Sequence, residues 1–520
     1  MPPLLIYLAG DTRNPLATLL PAKIEMYLKK IGYSSAASLL SQIVTAASVF
    51  VVSPAIIRGL GPEQYGLWLL AISLCAYLSN LDLGVQDTAM RFLAATDDAR
   101  EPEKRAALYY AFLRFYSRMG ALITLIGSTI IGGALLMGEA NKYYSLALCC
   151  GVLSLSTSIV FLCRPRHALL RAAMRQDIIS TIAISRVALF TAGVLLVSSS
   201  LDLWTFVLLH VATALGEQFA VYLTARRFVP DPPDRRDVPL DLPAVRAHAR
   251  TNIMGKLAGT MFSSSNYQIL AAFASLGAVT QYGIGMRLPT MFADIITALF
   301  GSHFIALFGH LQVSSNRSQQ LNALRESQKV SVGCSLSLAV PIFCLTPYFI
   351  TRWLGDGFSE AAAITQILIF PLALAYSTAP TSCFLIAASK HRCIAYWTLA
   401  SGILCAAASL FFVGRLGTMG VIIPNALLNT IWPFALAWSA RSITGWSMLD
   451  FVQNILFQPA LLILGLCTPL CWIITRWIQP ETYFKMIYTC IIMGILLIPI
   501  AFYYILDHTT RNRLVTAIYK

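Results

Sequence analysis

Charge is scarce in this chain. Of its 520 residues only 12% are Asp, Glu, Lys or Arg, about half of the roughly 25% that covers an ordinary soluble domain. Hydrophobic residues make up 57% and the mean hydropathy is +0.68, which excludes a soluble globular chain. Catalytic signatures are also missing: there is no HExxH, no nucleophile elbow, no paired carboxylates and no P-loop. Without a nucleotide site, ATP is not the expected energy source. Cysteine is present twelve times but without C-x-x-C spacing or histidine partners. Cys75, Cys163, Cys334, Cys344, Cys405, Cys467, Cys471 and Cys490 sit inside apolar blocks and read as small buried hydrophobes rather than metal or redox groups. The formal charge is +14, yet no basic stretch is interleaved with aromatics as nucleic-acid binding requires. The first residues, MPPLLIYLAGD, carry no basic region ahead of their short apolar run, so a signal peptide is not expected. Residues 15–30, with Lys23, Lys29 and Lys30, read as an interfacial helix.

The apolar residues come in blocks of about 20, the length that crosses a hydrocarbon core about 30 Å thick. The blocks fall at 35–57, 65–92, 108–137, 143–163, 177–199, 202–225, 253–275, 279–310, 327–350, 360–388, 392–413, 418–440, 452–476 and 483–506. The expected fold is therefore all-α: a polytopic membrane protein of about fourteen transmembrane helices. Its connections alternate in charge. One set holds D-D-A-R-E-P-E-K-R (97–105), C-R-P-R-H-A-L-L-R-A-A-M-R (163–175), the 226–250 segment, 314–329, S-K-H-R and the tail with Arg511, Arg513 and Lys520. The other set is short and almost free of Lys and Arg. Positive loops stay inside, which places the first set and, with an even number of spans, both termini of this multi-pass chain in the cytoplasm.

The proline- and charge-rich run 226–243 cannot pack as a core and reads as a linker. It divides the chain into a cytoplasmic or interfacial segment 1–34, an N-lobe 35–225, a linker 226–252, a C-lobe 253–440, and a last pair of helices with a tail at 441–520. Two stretches tie the lobes together. R-G-L-G-P-E-Q-Y-G-L-W runs from Arg58 to Trp68, and L-G-A-V-T-Q-Y-G runs from Leu276 to Gly283. Each Gln-Tyr-Gly opens the second span of its half, and the two tyrosines are 217 residues apart. Glycine in a tight turn and tyrosine at an interface would each occur without duplication. The same triplet at the same place in both halves favours an internal repeat. Six-span repeats share one orientation and relate by an axis along the membrane normal, a plan on which rocking lobes give alternating access. Gly59, Gly61, Tyr65, Gly66, Gly277, Tyr282 and Gly283 are the structural residues of this motif. Leu354-Gly355 and Leu416-Gly417 repeat its Leu-Gly element.

The run P-A-I-I-R-G-L-G-P-E-Q-Y-G-L-W, followed by L-S-N-L-D-L-G-V-Q-D-T-A-M-R-F, resembles the Wzx-type polysaccharide flippase branch of the MOP exporter superfamily. Gly59, Leu60, Gly61, Tyr65, Gly66, Leu67, Trp68, Asp82, Leu83, Gly84 and Arg91 carry the resemblance. It implies two pseudo-symmetric six-helix lobes around a cationic cavity, and transfer of a lipid-linked oligosaccharide from the cytoplasmic to the outer leaflet. Many members have twelve spans; fourteen is similar to the lipid-linked peptidoglycan-precursor flippases of the same superfamily. The implied partners are a lipid-linked oligosaccharide, membrane lipids and other polysaccharide-assembly proteins, with no nucleic acid and no cofactor.

Charges inside the membrane are costly and are functional candidates by default. Arg287 and Asp294 lie seven residues apart on one face of the eighth span, Arg287 roughly 12 Å from its outer end. Arg287, Lys256, Arg91, Arg186 and Asn266 are the candidate substrate-binding residues, because the arginine fork suits a pyrophosphate. Asp294, Glu217, Asp82 and Asp87 are candidates for coupling to H+ or Na+. Structural ion pairs between helices, such as Arg287 with Asp87 or Glu217, would account for the same residues. An ion-coupled multidrug-type exporter of this architecture is the first alternative, although basic groups here at least match acidic ones. A membrane-embedded polymerase or ligase is the second, but it would need a large outer loop, and the longest here is about a dozen residues.

Overall fold

The computed structural model describes residues 22–82, 85–96, 102–141, 143–231, 242–301, 304–305, 307–309, 311, 317–388, 390–457, 460–461 and 463–505. These residues are helical throughout, with no strand among them. Ten segments are long and apolar enough to cross a membrane. The first, Ala37–Asp82, holds 46 residues, roughly 69 Å of helix at 1.5 Å per residue and twice what one crossing needs. It lies within Ala22–Ser79, which breaks at Gly61 (φ 75°, ψ 166°) into α1 and α2. With Leu242–Phe273 and the shorter apolar helices Ile463–Ile478 and Tyr483–Leu497, the described residues supply a helix for each of the fourteen expected spans.

The helices that follow α2 are α3 (Val85–Ala95), α4 (Pro102–Met137), α5 (Tyr144–Ala172), α6 (Gln176–Leu196), α7 (Leu203–Ala225) and α8 (Leu242–Phe273). The eighth span is two helices, α9 (Leu276–Gly285) and α10 (Arg287–Phe300). Then come α11 (Arg317–Leu354), α12 (Ser359–Tyr376), α13 (Ala379–Ala387), α14 (His391–Leu416), α15 (Met419–Thr444), α16 (Thr468–Ile478) and α17 (Tyr483–Ile505). Two compact units divide between Ala271 and Ala272, so α8 falls with the helices before it, not after the 226–252 segment.

Within the first unit α4 packs on α5, α5 on α7, α6 on α7, and α2 on α5. Within the second, α11 packs on α12, α12 on α15, α14 on α15, and α9 and α10 on α12. Counted as spans, these are the same four pairings, displaced by six. The last two helices are added to this plan by packing on α11: Cys467, Cys471, Met493 and Leu497 share a core with Val332, Leu336 and Val340.

The two motif copies turn the chain differently. Gly61 precedes Pro62, which drives the residue before it out of the helical region, and its positive φ is open to glycine alone. Gly59 has a second reason to be glycine, since a Cβ there would sit 2.9 Å from the Leu201 Cβ. The second hairpin uses a cap instead. Ser275 is extended and its hydroxyl accepts from the Ala278 N–H at 3.1 Å, while Gly277 takes no left-handed conformation. Gly355 (φ 97°) and Gly417 (φ 55°) do, so the Leu-Gly element acts as a helix terminator there. Asp202 caps α7 by accepting from Thr205 N–H at 3.2 Å, and hydrogen bonding to Thr205 holds its carboxyl below the usual range.

Two boundaries differ from expectation. Residues 163–175 are not a loop: α5 continues through Pro165 to Ala172, and only a turn with Met174 in the left-handed region follows. The second span ends its α-helix at Ser79, continues as a 3-10 turn over Asn80–Asp82, and is followed by the separate α3.

Candidate functional site

The first cluster of intramembrane charge gathers at the end of α2. Asp82 is 1% exposed; burial on that scale is tolerated by a carboxylate only with cations beside it. Arg164 from α5 pairs with its Oδ2, and Lys256 from α8 approaches the same oxygen at 3.6 Å. Arg164 is fixed twice more: it donates to the Ser79 carbonyl at 2.8 Å and lies 4.2 Å over the Phe161 ring. Beside this, Asn80 donates to the Thr260 hydroxyl at 2.6 Å, and that hydroxyl donates to the Lys256 carbonyl at 2.9 Å. Asp82 therefore binds α5 and α8 to one helix end, and Lys256 remains a third exposed (33%).

The second cluster lies between α6 and α7. Arg186 faces Glu217 at 3.5 Å, so Glu217 pairs within its own unit. His210 lies seven residues before Glu217 on the same helix. Its ring meets Trp68 at 5.0 Å and Phe190 at 5.8 Å. Trp68, the last residue of the first motif copy, also stands edge-on to Phe206 at 4.8 Å.

The second unit holds a polar face on α10, where Arg287, Thr290, Asp294 and Thr297 recur at helical spacing. Arg287 is half-buried, and Thr290, Asp294 and Thr297 are exposed. This face begins at a break made by local sequence. Pro289 has no N–H to give the Gly285 carbonyl, and the Thr365 hydroxyl of α12 donates to it instead at 2.7 Å. Gly285 lets α12 approach closely, since a Cβ there would stand 2.8 Å from the Ala361 carbonyl. One turn earlier, Gln281 donates to the Gly357 carbonyl at 2.7 Å and accepts from the Ala361 N–H at 3.1 Å, which caps α12. Tyr282 is buried, with Asn425 of α15 donating to its hydroxyl at 3.5 Å. Tyr65 is equally buried in the first unit.

Of the residues proposed from sequence, the fold brings Asp82 to Lys256 and Arg186 to Glu217. It keeps Arg287 and Asp294 on one face. Asn266 is fully buried in α8, and Arg91 is exposed on α3. The Asp87 side chain lies outside the described residues, as do Leu83 and Gly84. Arg164 was missed because its run, C-R-P-R-H-A-L-L-R-A-A-M-R, reads as a positive loop, whereas α5 continues through it to Ala172. Among the described residues no cluster of His, Cys, Asp or Glu could hold a metal ion.

No family model matches the chain, and no curated protein matches it by sequence. Solved structures do match by fold. An inward-facing multidrug resistance MATE transporter of the MOP superfamily superposes with a TM-score of 0.67 at 14% identity, over 78% of this chain and 98% of that one. The lipid II flippase MurJ in an inward closed conformation superposes with a TM-score of 0.68 at 11% identity, over 90% of this chain and 97% of that one. A MOP superfamily transporter from Pyrococcus furiosus, described as having a binding pocket of reversed polarity, reaches 0.56 at 16% identity over 81% and 97%. The chain thus has the all-α polytopic fold of MOP superfamily transporters.

Proposed function

We propose that the protein is a flippase that carries a lipid-linked, pyrophosphate-bearing oligosaccharide from the cytoplasmic to the outer leaflet of a bacterial inner membrane by alternating access, for surface polysaccharide synthesis. One observation carries this reading over its neighbours. A lipid II flippase, over 97% of its length, superposes on 90% of this chain, whereas the multidrug transporter takes in 78%. The cationic groups fit the same cargo: Arg287, Arg186 and Lys256 supply forked or point positive charge within the spans, and phosphates are recognised by such groups. Asp294 and Glu217 are the candidates for H+ or Na+ coupling, and other polysaccharide-assembly proteins are the candidate partners. An ion-coupled exporter of small molecules is the second reading, favoured by the multidrug matches.

The deciding experiment is a leaflet-resolved glycolipid assay in a strain lacking the gene. The expected result is glycolipid retained on the cytoplasmic leaflet, restored to the outer leaflet by the wild-type gene and not by Arg287→Ala at equal membrane abundance. Normal surface polysaccharide combined with new drug sensitivity would replace this reading with the exporter.

A further inference from the structure

Independently of the cargo, α5 and α7 carry two matching exposed apolar stripes that end in cations. On α5, Ile159 and Leu162 are 40% and 39% exposed, and Arg166 follows at the next helical position. On α7, Phe219, Tyr222 and Leu223 are exposed, and Arg226 stands just past the helix end. The two helices pack against each other, so the stripes run side by side and change from apolar to basic at the same end. The positive-inside pattern assigns that end to the cytoplasmic leaflet.

The basic end is built rather than merely charged. The Arg166 guanidinium lies 4.6 Å over the Tyr222 ring, and that of Arg226 lies 5.9 Å from the same centroid. One aromatic ring thus holds two guanidinium groups that would otherwise repel each other. Arg166 gives one N–H to the Leu162 carbonyl at 3.1 Å, while its buried Nε has no hydrogen-bond partner among the described residues. Tyr109 of α4 is 1% exposed, and Arg166 and Tyr222 are among its electrostatic neighbours. Its buried hydroxyl is likewise without a hydrogen-bond partner among the described residues. Two guanidinium groups paired over one ring at the end of two apolar stripes match an acceptor that carries negative charge.

We propose that this is a binding site for the phosphodiester headgroup of an anionic bilayer phospholipid. Arg166 and Arg226 face the phosphate, and the acyl chains lie along Ile159, Leu162, Phe219 and Leu223. The apolar stripes select a lipid over a free phosphate, because a soluble anion would use only the basic end.

The test uses the full-length protein in nanodiscs of phosphatidylglycerol and phosphatidylcholine in equal parts, with retained lipid counted by native mass spectrometry after detergent extraction. Wild type is expected to retain phosphatidylglycerol in preference. Arg166→Gln and Arg226→Gln should each weaken that preference about fivefold while leaving the elution profile unchanged. Equal retention of both lipids by wild type would overturn the proposal, and so would a preference untouched by the double arginine variant. Displacement of phosphatidylglycerol by inorganic pyrophosphate at millimolar concentration would assign the groups to a cargo headgroup instead. None of these outcomes depends on which leaflet the cargo occupies in cells.

Discussion

Asp82 shows how one residue can be legible as important and illegible in its role. Its place inside an apolar block marked it as a candidate, but neither partner was visible, because Arg164 stood in a run that counts as a cytoplasmic loop and Lys256 lies far along the chain. The same holds for Glu217, whose partner Arg186 is set by how α6 meets α7. The geometry separates the costs of losing each member of the Asp82 cluster. Asp82→Ala strands the Arg164 guanidinium, whose side chain is only 13% exposed, and removing one partner of a buried pair costs about 3–5 kcal/mol. Lys256→Gln loosens a longer contact from a side chain a third exposed, worth at most about 1 kcal/mol. Thermal unfolding in detergent should therefore show a large drop for Asp82→Ala and a small one for Lys256→Gln. Equal drops would mean that the lysine, not the arginine, secures this helix end.

At the scale of elements, the hairpin signature was readable and its mechanics were only half so. The repeat of Gln-Tyr-Gly located two equivalent helix starts, and both tyrosines are buried there. The glycines are not equivalent: Gly61 breaks the chain, whereas Gly277 sits inside a helix whose start is capped by Ser275. A serine cap and a left-handed glycine serve the same corner, and nothing in a Leu-Gly pair distinguishes them. Gly61→Ala forces an alanine to φ 75° and should cost about 1–3 kcal/mol. Gly277→Ala meets no atom closer than the Ser275 Oγ at 3.6 Å and should be neutral or stabilising by up to about 1 kcal/mol. Comparing the unfolding midpoints of the two variants tests this, and a loss from Gly277→Ala as large as that from Gly61→Ala would contradict it. The break at Gly285–Arg287 was hidden for a similar reason, since Pro289 reads as a kink whose repair by Thr365 depends on α12. Thr365→Val should leave the Gly285 carbonyl unsatisfied and cost about 1–3 kcal/mol, read in the same assay against Thr365→Ser, which keeps the donor.

For the whole molecule, the number and length of the apolar blocks made the polytopic all-α fold legible, because hydrocarbon thickness fixes span length more tightly than any tertiary contact does. The division into compact units was less legible: the linker composition at 226–252 suggested a boundary there, while α8 falls with the first unit. That helix, at 32 residues, is long enough to cross but is not among the ten segments that qualify on length and hydropathy together, whereas the last two spans are apolar and merely short. Parity turns this into a sharp test. Between Lys104 and Asp356 lie seven crossings if α8 spans the bilayer and six if it does not. Lys104 and Asp356 are both exposed, so Lys104→Cys and Asp356→Cys can be labelled with a membrane-impermeant maleimide in spheroplasts, with wild type reporting the background from the exposed Cys490. The expected outcome is labelling at 356 without permeabilisation and at 104 only after it, with Glu139→Cys behaving like 356 and Lys390→Cys like 104. Labelling of 104 and 356 from the same side would remove α8 from the membrane, and with it the six-plus-six repeat that relates the two motif copies.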